Sequence, residues 1–311
     1  MKTDPDNPLG SDVTELGSLI LGMRAAYTRK ENVMAYARQT AGALRNSSVA
    51  TLIAYDLQAG RYIAAARANP EGRVRWCGQL SEILNPYITE QSSILEVGCG
   101  EATTLAGVLE RLDNTPKHAL GFDISWSRCT EGLRWLSEHN ARARLFVADL
   151  FNIPLEDASV DVVYTSHSIE PNGGREEDAM RELMRVARRA VILFEPIYEL
   201  ADAEAQARMR SHGYVQGLKE AAERLGANVS GYRLLTYTAN ELNPSGLVLI
   251  ENEFNEVAES EPAWRCPLTH TPLNDLGDVF VSPQSGLCYP VLREIPMLRA
   301  EHGIVASKII G

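Results

Sequence analysis

The chain has 311 residues, of which 45% are hydrophobic and 23% are charged. This is the composition of a globular protein, and the length suggests one large domain with an appendage, or two domains. The formal net charge of -11 argues against a nucleic-acid partner, because a uniformly acidic surface repels it. No apolar run reaches the ~18 residues needed to cross a bilayer, so no membrane partner is expected.

The start of the chain and its cysteines bear on the compartment. The first residues lack a basic stretch followed by an apolar one, so no secretory signal is predicted. Five cysteines occur and no two form a CxxC pair, which favours reduced thiols in the cytoplasm. The oligomeric state stays open, with a homo-oligomer as one alternative.

Residues 1–85 are predicted to form a helical lid region, in which residues 1–12 are a frayed tail. Apolar residues recur at helical spacing from Val13 to Leu57, which predicts two or three helices. Breaks between these helices are predicted near Thr28 and at 45–48. A turn is predicted at 69–72 and a last helix at 76–84.

Residues 86–256 change to strands that alternate with helices. Predicted strands lie at 93–97, 119–123, 144–148, 160–165 and 190–194. Predicted helices lie at 102–112, 126–136 (capped by Ser125), 176–186 and 201–225, and an antiparallel pair is predicted at 233–238 and 247–254. This alternation is typical of right-handed crossovers, so we expect a doubly wound, Rossmann-like α/β fold with a mostly parallel sheet.

The last part of the chain, residues 262–303, is rich in Pro, Gly and short β-like runs. It lacks helical periodicity, and a small β-rich domain is therefore predicted there. The acidic stretch at 256–261 is the expected boundary.

Three features follow successive predicted strands at their carboxyl ends, where an open α/β sheet binds ligands. Gly98 and Gly100 allow a tight turn and a close approach of the backbone to a ligand. Asp123 can accept hydrogen bonds from two ribose hydroxyls, and Asp149 with Leu150 suits the amine and face of an adenine. Each feature alone also fits an ordinary turn or helix cap, but together they predict a nucleotide-type ligand.

Two common nucleotide motifs are missing from the sequence. The third glycine of a GxGxxG dinucleotide fingerprint is Thr103 here, and no GKT or GKS phosphate loop occurs.

Residues 90–200 resemble class I S-adenosylmethionine (SAM)-dependent methyltransferases, close to the subgroup of ubiquinone-biosynthesis and small-molecule enzymes. The segments that carry the resemblance are ILEVGCGEATTLAGVL, GFDIS, ADLFNIPLEDASVDVVYTSHSIE and RELMRVARRAVILFEP. One departure is Ala187-Arg188-Arg189, which replaces the usual lysine-proline-glycine-glycine turn. The resemblance implies a methyl transfer with SAM as the cofactor.

The resemblance also implies which residues hold SAM. They are Glu96, Gly98 and Gly100 for the methionine half, Asp123 for the ribose, Ile124, Asp149 and Leu150 for the adenine, and Ser166 for backbone contacts near the sulfonium. The segment from Tyr55 to Tyr62 is similar to one that closes over SAM, with Tyr55, Gln58 and Tyr62 as candidates. An ordinary helix with two buried tyrosines is the open alternative.

Methyl transfer needs an oriented acceptor and, for a hydroxyl acceptor, a base. His167, in the loop after the fourth predicted strand, is the best base candidate, with Glu170 as an orienting partner. The alternative is that His167 is a structural loop residue. No Asn-Pro-Pro-Tyr or Asp-Pro-Pro-Tyr run follows this strand, which disfavours amino groups of bases and glutamine amides as acceptors.

Residues 263–300 resemble the small zinc-ribbon-like activator subunit of tRNA, rRNA and translation-factor methyltransferases. Thr269 replaces a cysteine of that pattern, which leaves Cys266, His270 and Cys288 as three poorly spaced candidates for a site that needs four ligands. We therefore predict no metal. The expected core of this domain comprises Trp264, Leu273, Tyr289, Ile295 and Leu298.

The sequence thus predicts a methyltransferase for a small-molecule acceptor, with oxygen as the methylated atom. A helical lid over the crevice favours a small enclosed acceptor. Two alternatives stay open: an RNA or protein methyltransferase with its activator fused in the same chain, and a catalytically silent SAM-binding scaffold.

Overall fold

The computed structural model describes residues 13–41, 48–252 and 261–309. The predicted tail at 1–12, most of the break at 45–48 and most of the boundary at 256–261 lie outside these residues.

Five helices precede the sheet: α1 Val13–Thr28, α2 Val33–Ala41, α3 Ser48–Leu57, α4 Arg61–Ala68 and α5 Pro70–Leu84. The prediction of two or three helices up to Leu57 is confirmed. The turn predicted at 69–72 is wrong, because these residues begin α5. The Asn69 side chain accepts a hydrogen bond from the Gly72 amide at 2.9 Å, and Pro70 occupies the first helical position. Both residue types favour a helix start at these positions.

A seven-stranded sheet follows, in the order β3-β2-β1-β4-β5-β7-β6. Its strands are β1 Ser93–Val97, β2 His118–Asp123, β3 Arg144–Val147, β4 Val160–Ser166, β5 Ala187–Pro196, β6 Val229–Leu234 and β7 Ser245–Glu251. Strands β1 to β5 are parallel, and β7 is antiparallel to both β5 and β6. The predicted doubly wound fold is confirmed.

The helices that accompany the sheet are α6 Thr103–Leu109, α7 Trp126–Glu138, α8 Glu176–Val186, α9 Ala203–His212 and α10 Leu218–Arg224. Ser125 caps α7, as predicted. The single helix predicted over 201–225 is wrong, because Gly213 and Gly217 adopt φ of 69° and 65° and break it. The strand predicted at 233–238 lies instead at Val229–Leu234, an edge strand whose residues are all half-buried or exposed.

The sheet is buried on both faces. Neighbouring residues of one strand belong to different apolar clusters, Ile94 to one and Leu95 to the other, as the alternation of side chains requires. Helices α1–α3 form what we call the N-terminal bundle. It has a separate small cluster that includes Met23, Ala37 and Ile53.

The C-terminal module, residues 261–309, contains β8 Asn274–Asp275, β9 Val279–Val281, β10 Leu287–Leu292, β11 Ile295–Pro296 and β12 Ile304–Val305. It docks on the β3 edge of the large sheet. Met297 pairs with Val147 in a parallel bridge, and the Leu298 amide donates to the Val147 carbonyl at 2.9 Å. A second bridge joins Leu155 to Trp264.

The separate core predicted for this module is wrong. Leu273, Tyr289 and Leu298 belong to the main cluster on one face of the large sheet, and Ile295 belongs to the cluster on the other face. Trp264 is half-buried and packs edge-on against Phe146 of β3, with ring centroids 5.1 Å apart. The module therefore extends the core of the sheet.

Within the described residues, no helix is long and apolar enough to cross a membrane.

Candidate active site

A cavity of about 1770 Å³ opens at the carboxyl ends of β1, β2, β3 and β4. One wall is the sheet edge with its loops, and the opposite wall comes from α2 to α5, through residues such as Thr51, Tyr62 and Trp76. The loops after β4 and after α9 close the remaining side. This is the crevice in which an open α/β sheet binds its ligand.

The loop after β1 requires its two glycines. Gly98 and Gly100 adopt φ of 66° and 55°, a region that favours glycine. A Cβ atom on Gly98 would lie 2.4 Å from Cβ of Ser168, so a side chain there would clash. The Cys99 amide donates to the Phe122 carbonyl at 2.7 Å, which ties the loop to β2. The backbone of this loop is thereby exposed to a ligand.

Glu96 lies beneath this loop, at the penultimate position of β1, and is buried. The Tyr164 hydroxyl of β4 donates to Glu96 Oε2 at 3.0 Å. Burial raises the pKa of Glu96 to about 8, although the hydrogen bond from Tyr164 opposes the shift. Glu96 therefore holds a proton at neutral pH more readily than an ordinary carboxyl does.

Asp123 ends β2, and backbone amides fix its side chain. Gly100 donates to Oδ2 at 3.1 Å and Ser125 donates to Oδ1 at 2.9 Å. Burial raises the pKa of Asp123, and the charge of Arg128 and these two amides oppose that rise. The Asp123 carboxylate still has lone pairs on the cavity wall that can accept hydrogen bonds from two neighbouring hydroxyls. This arrangement fits the ribose of SAM.

Asp149 and Leu150 follow β3 and also line the cavity, together with Ile124. The Phe151 amide donates to Asp149 Oδ1 at 2.9 Å and orients the carboxylate. A carboxylate between two aliphatic side chains can bind the amine and both faces of an adenine. The described residues therefore fit SAM along three neighbouring strand ends.

The structure brings nearly all predicted site residues to this cavity. Gln58 is the exception, because it lies in the turn between α3 and α4 and does not line the wall. Ser166 lines the wall and accepts a hydrogen bond from Trp76 Nε1 at 3.3 Å. Tyr55 and Tyr62 lie on two helices, not one, and half of Tyr62 is exposed (50%), so the alternative of one helix with two buried tyrosines does not hold.

His167 and Glu170 meet in the loop after β4. His167 Nδ1 lies 2.7 Å from Glu170 Oε2, and His167 Nε2 lies 2.8 Å from Ser245 Oγ. The His167 side chain is 32% exposed, and both residues line the cavity. Burial lowers the pKa of His167. The hydrogen bond and charge of Glu170, together with the charge of Glu195, outweigh this effect, so the pKa is raised above the ordinary histidine value.

Glu195 was not predicted from the sequence, and it holds this loop in place. Its buried carboxylate, at the end of β5, accepts backbone hydrogen bonds from Ser168 at 2.9 Å, Ile169 at 3.1 Å and Glu170 at 3.2 Å. Burial raises the pKa of Glu195, while the charge of His167 lowers it. Glu195 thus positions both members of the His167–Glu170 pair.

Glu101 and Asp56 were also missed, and both join the helices to the cofactor loops. Glu101, directly after Gly100, accepts hydrogen bonds from the amides of Gly60 at 3.0 Å and Ile63 at 2.8 Å, at the start of α4. Asp56 on α3 accepts one from Ser125 Oγ at 2.7 Å. The sequence gives no local signal for either contact, because the partners lie 38 to 69 residues apart along the chain.

The C-terminal module offers no assembled metal site in the part of the chain that the structure describes. Cys266 Sγ lies 3.2 Å from the Tyr289 hydroxyl and accepts a hydrogen bond from the Thr269 amide at 3.4 Å. His270 instead contacts Arg265, at 2.6 Å. The prediction that this module holds no zinc still awaits a metal analysis.

Residues 94–190 match the family described as a methyltransferase domain. No curated protein sequence shows significant similarity to the chain.

Several solved structures share part of the fold. Magnesium protoporphyrin IX methyltransferase from Synechocystis PCC 6803 shows 14% identity and a TM-score of 0.46, over 58% of this chain and 84% of that one. A putative SAM-dependent methyltransferase from Methanococcus maripaludis shows 17% identity and a TM-score of 0.43, over 63% of this chain and 93% of that one. A chain of the complex between the Haloferax volcanii Trm112 methyltransferase activator and a putative methyltransferase shows 13% identity and a TM-score of 0.47. The match covers 61% of this chain and 94% of that one.

The family match coincides with the part of the chain that carries the glycine loop, Asp123 and Asp149. Residues 94–190 therefore form a methyltransferase domain, and S-adenosyl-L-methionine is the cofactor that the geometry of its site fits.

Proposed function

We propose that the protein transfers the methyl group of SAM to a hydroxyl oxygen of a small molecule bound in the same cavity. The observation that carries this proposal is a single cavity of about 1770 Å³ that joins the cofactor residues to the His167–Glu170 pair. Pockets for one drug-sized ligand measure roughly 300–1,000 Å³, so this cavity has room for the cofactor and a second molecule.

The size class of the acceptor follows from the walls. Arg38, Thr51 and Trp76, from three different helices, face the sheet across the cavity. An acceptor between these walls is enclosed, which suits a small molecule better than a polymer surface. The acidic net charge of -11 also disfavours RNA.

The chemistry needs little from the protein beyond position and proton removal. SAM supplies a methyl group on a positively charged sulfur, which leaves as a neutral thioether. The walls of the cavity orient the acceptor and exclude water. The hydroxyl proton must go to a base when the oxygen–methyl bond forms.

We assign that proton to Glu170, with His167 as its partner. Both ring nitrogens of His167 are engaged within the protein, Nδ1 by Glu170 and Nε2 by Ser245. Glu170 Oε2 also accepts a hydrogen bond from Asn243 Nδ2 at 3.2 Å, and the Glu170 side chain lines the cavity, where its carboxylate can meet an acceptor. This exchanges the two roles expected from the sequence.

A labelling experiment tests the proposed function. Purified enzyme with methyl-tritiated SAM is added to a cell extract separated into small-molecule, protein and RNA fractions. We expect label in the small-molecule fraction. Label confined to protein or RNA would contradict the proposal, and no transfer to any fraction would favour a SAM-binding scaffold.

Variants of the pair test the assignment of the base. Glu170→Gln should lower kcat by roughly 10²–10⁴-fold and leave SAM binding intact. His167→Asn should have a smaller effect, because it removes the partner and keeps the carboxylate. Glu177→Gln, an exposed change on α8, is the control. A larger loss for His167→Asn than for Glu170→Gln would return the base role to His167.

The pH profile follows from the raised pKa of His167. When His167 is protonated, its positive charge makes the neighbouring Glu170 carboxylate a weaker base. Activity should therefore rise with pH, with an inflection above the ordinary histidine value of about 6.5. An inflection well below that value would contradict the coupling of the two groups.

A further inference from the structure

Arg128, which no sequence feature singled out, is a buried cation on the cavity wall. It lies in the first turn of α7 and is 4% exposed. A Cβ atom placed on Gly100 would lie 3.5 Å from Arg128 Nη1. One edge of the guanidinium therefore reaches the glycine loop of the cofactor site.

Two aromatic rings and one carbonyl hold this guanidinium. Its central carbon lies 4.6 Å from the ring centre of Tyr55 and 4.6 Å from that of Tyr62. Arg128 Nε donates to the Tyr55 carbonyl at 3.0 Å. The plane of the side chain is thereby fixed, and its terminal nitrogens remain for another partner.

The positive charge of Arg128 has no ion-pair partner among the described residues, and no acceptor in them is assigned to its terminal nitrogens. A buried charge is costly unless it is paired. Arg73 on the same wall differs, because it pairs with Glu110 at 3.2 Å. The charge of Arg128 acts on Asp123 only from beyond ion-pair distance, so the guanidinium lacks a directly bound anion.

We propose that Arg128 binds the carboxylate of the methionine half of SAM. This carboxylate is the anionic group of the cofactor. The glycine loop beside Arg128 already belongs to the cofactor site, whereas the carboxylates of Asp123 and Asp149 elsewhere on the wall would repel an anion. A fixed guanidinium can donate two parallel hydrogen bonds to a carboxylate.

The two tyrosines couple this recognition to the helices. Tyr55 is on α3 and Tyr62 on α4, so the guanidinium lies between the cofactor loop and the helices that cover it. Neutralising its charge with the cofactor carboxylate should strengthen the docking of these helices. The enzyme would then discriminate against cofactor analogues that lack the carboxylate.

Two ligands that differ only in the carboxylate test the proposal: S-adenosylhomocysteine and its decarboxylated analogue, S-adenosyl-3-thiopropylamine. Wild-type protein should bind the first more tightly by roughly 10- to 100-fold in calorimetry. Arg128→Gln should lower affinity for S-adenosylhomocysteine by a similar factor and change affinity for the analogue less than threefold. Arg134→Gln, on the same helix with a side chain 64% exposed, is the control and should change neither.

An equal loss for both ligands in Arg128→Gln would show that Arg128 only supports the fold, and would overturn the proposal. If that variant does not fold, the wild-type comparison still decides, because equal affinity for the two ligands would also overturn it. The inference rests on SAM as the cofactor and not on the proposed acceptor. Failure to find a hydroxyl acceptor would therefore leave these binding results unaffected.

Discussion

The N-terminal bundle and the C-terminal module are attached to the same sheet in different ways. The bundle has its own apolar cluster and meets the cofactor loops through polar contacts of Asp56 and Arg128. The module has no cluster of its own, and its buried side chains complete the core of the sheet. Apolar burial is cooperative and hard to undo, whereas a few hydrogen bonds can open locally. The bundle is therefore suited to follow the cofactor, and the module to support the fold.

The largest expected effect is on the stability of the module. Tyr289→Ala removes a fully buried aromatic ring from the core that the module shares with the sheet, and should cost roughly 3–5 kcal/mol of unfolding free energy. Denaturant unfolding should show one transition at a lower midpoint. Leu292→Ala, an exposed change on the same strand, should have little effect. A separate early transition in Tyr289→Ala would show that the module unfolds alone, and the comparison would fail.

The second effect concerns the cofactor site, which the N-terminal helices cover and the C-terminal module does not line. If Asp123 holds the ribose, as its position predicts, Asp123→Ala removes charge-assisted hydrogen bonds worth roughly 1.5–3 kcal/mol each. SAM affinity should fall at least tenfold in calorimetry, while the fold survives. Unchanged affinity would mean that the ribose does not bind at Asp123.

The third effect tests the polar attachment of the helices. Glu101→Gln weakens the bonds to the Gly60 and Ile63 amides and removes a negative charge from the start of α4. SAM affinity should fall several-fold, and limited proteolysis before Pro70 should become faster, with little change in overall stability. Glu138→Gln breaks an exposed ion pair between Arg67 and α7 and should change neither, because exposed pairs contribute about 0–1 kcal/mol. Equal effects of the two changes would contradict a special role for Glu101.

The smallest effect is expected from metal removal. The C-terminal module should contain no zinc, since its described residues assemble no group of metal-ligating side chains and the Cys266 thiol contacts Tyr289. A chelator should leave the melting temperature unchanged. One tightly held zinc per chain in elemental analysis would show instead that the module is stabilised by metal.

The sequence was informative where a function depends on neighbours in the chain. Gly98, Gly100, Asp123 and Asp149 each end a strand or lie within three residues of a strand end, so their position at one sheet edge follows from the alternation of strands and helices. The start of α5 at Pro70 also has a local signal, because Asn-Pro favours a helix start as well as a turn.

Contacts between distant segments could not be predicted in the same way. Arg128 and Tyr55 lie 73 residues apart, and Ser168 and Glu195 lie 27 apart. The residues of the module were predicted to be buried, but their partners were not, because hydrophobicity does not specify which surface covers a side chain. The edge strand β6 was misplaced because it lacks the apolar alternation that marks a half-buried strand.

The bridge between Met297 and Val147 also has a consequence for solubility. Strand β3 is the outermost of the parallel strands, and its free backbone groups would otherwise invite pairing with another chain. Here the cover belongs to the same polypeptide, so its association is intramolecular and independent of protein concentration. Dilution therefore cannot separate this cover from the edge.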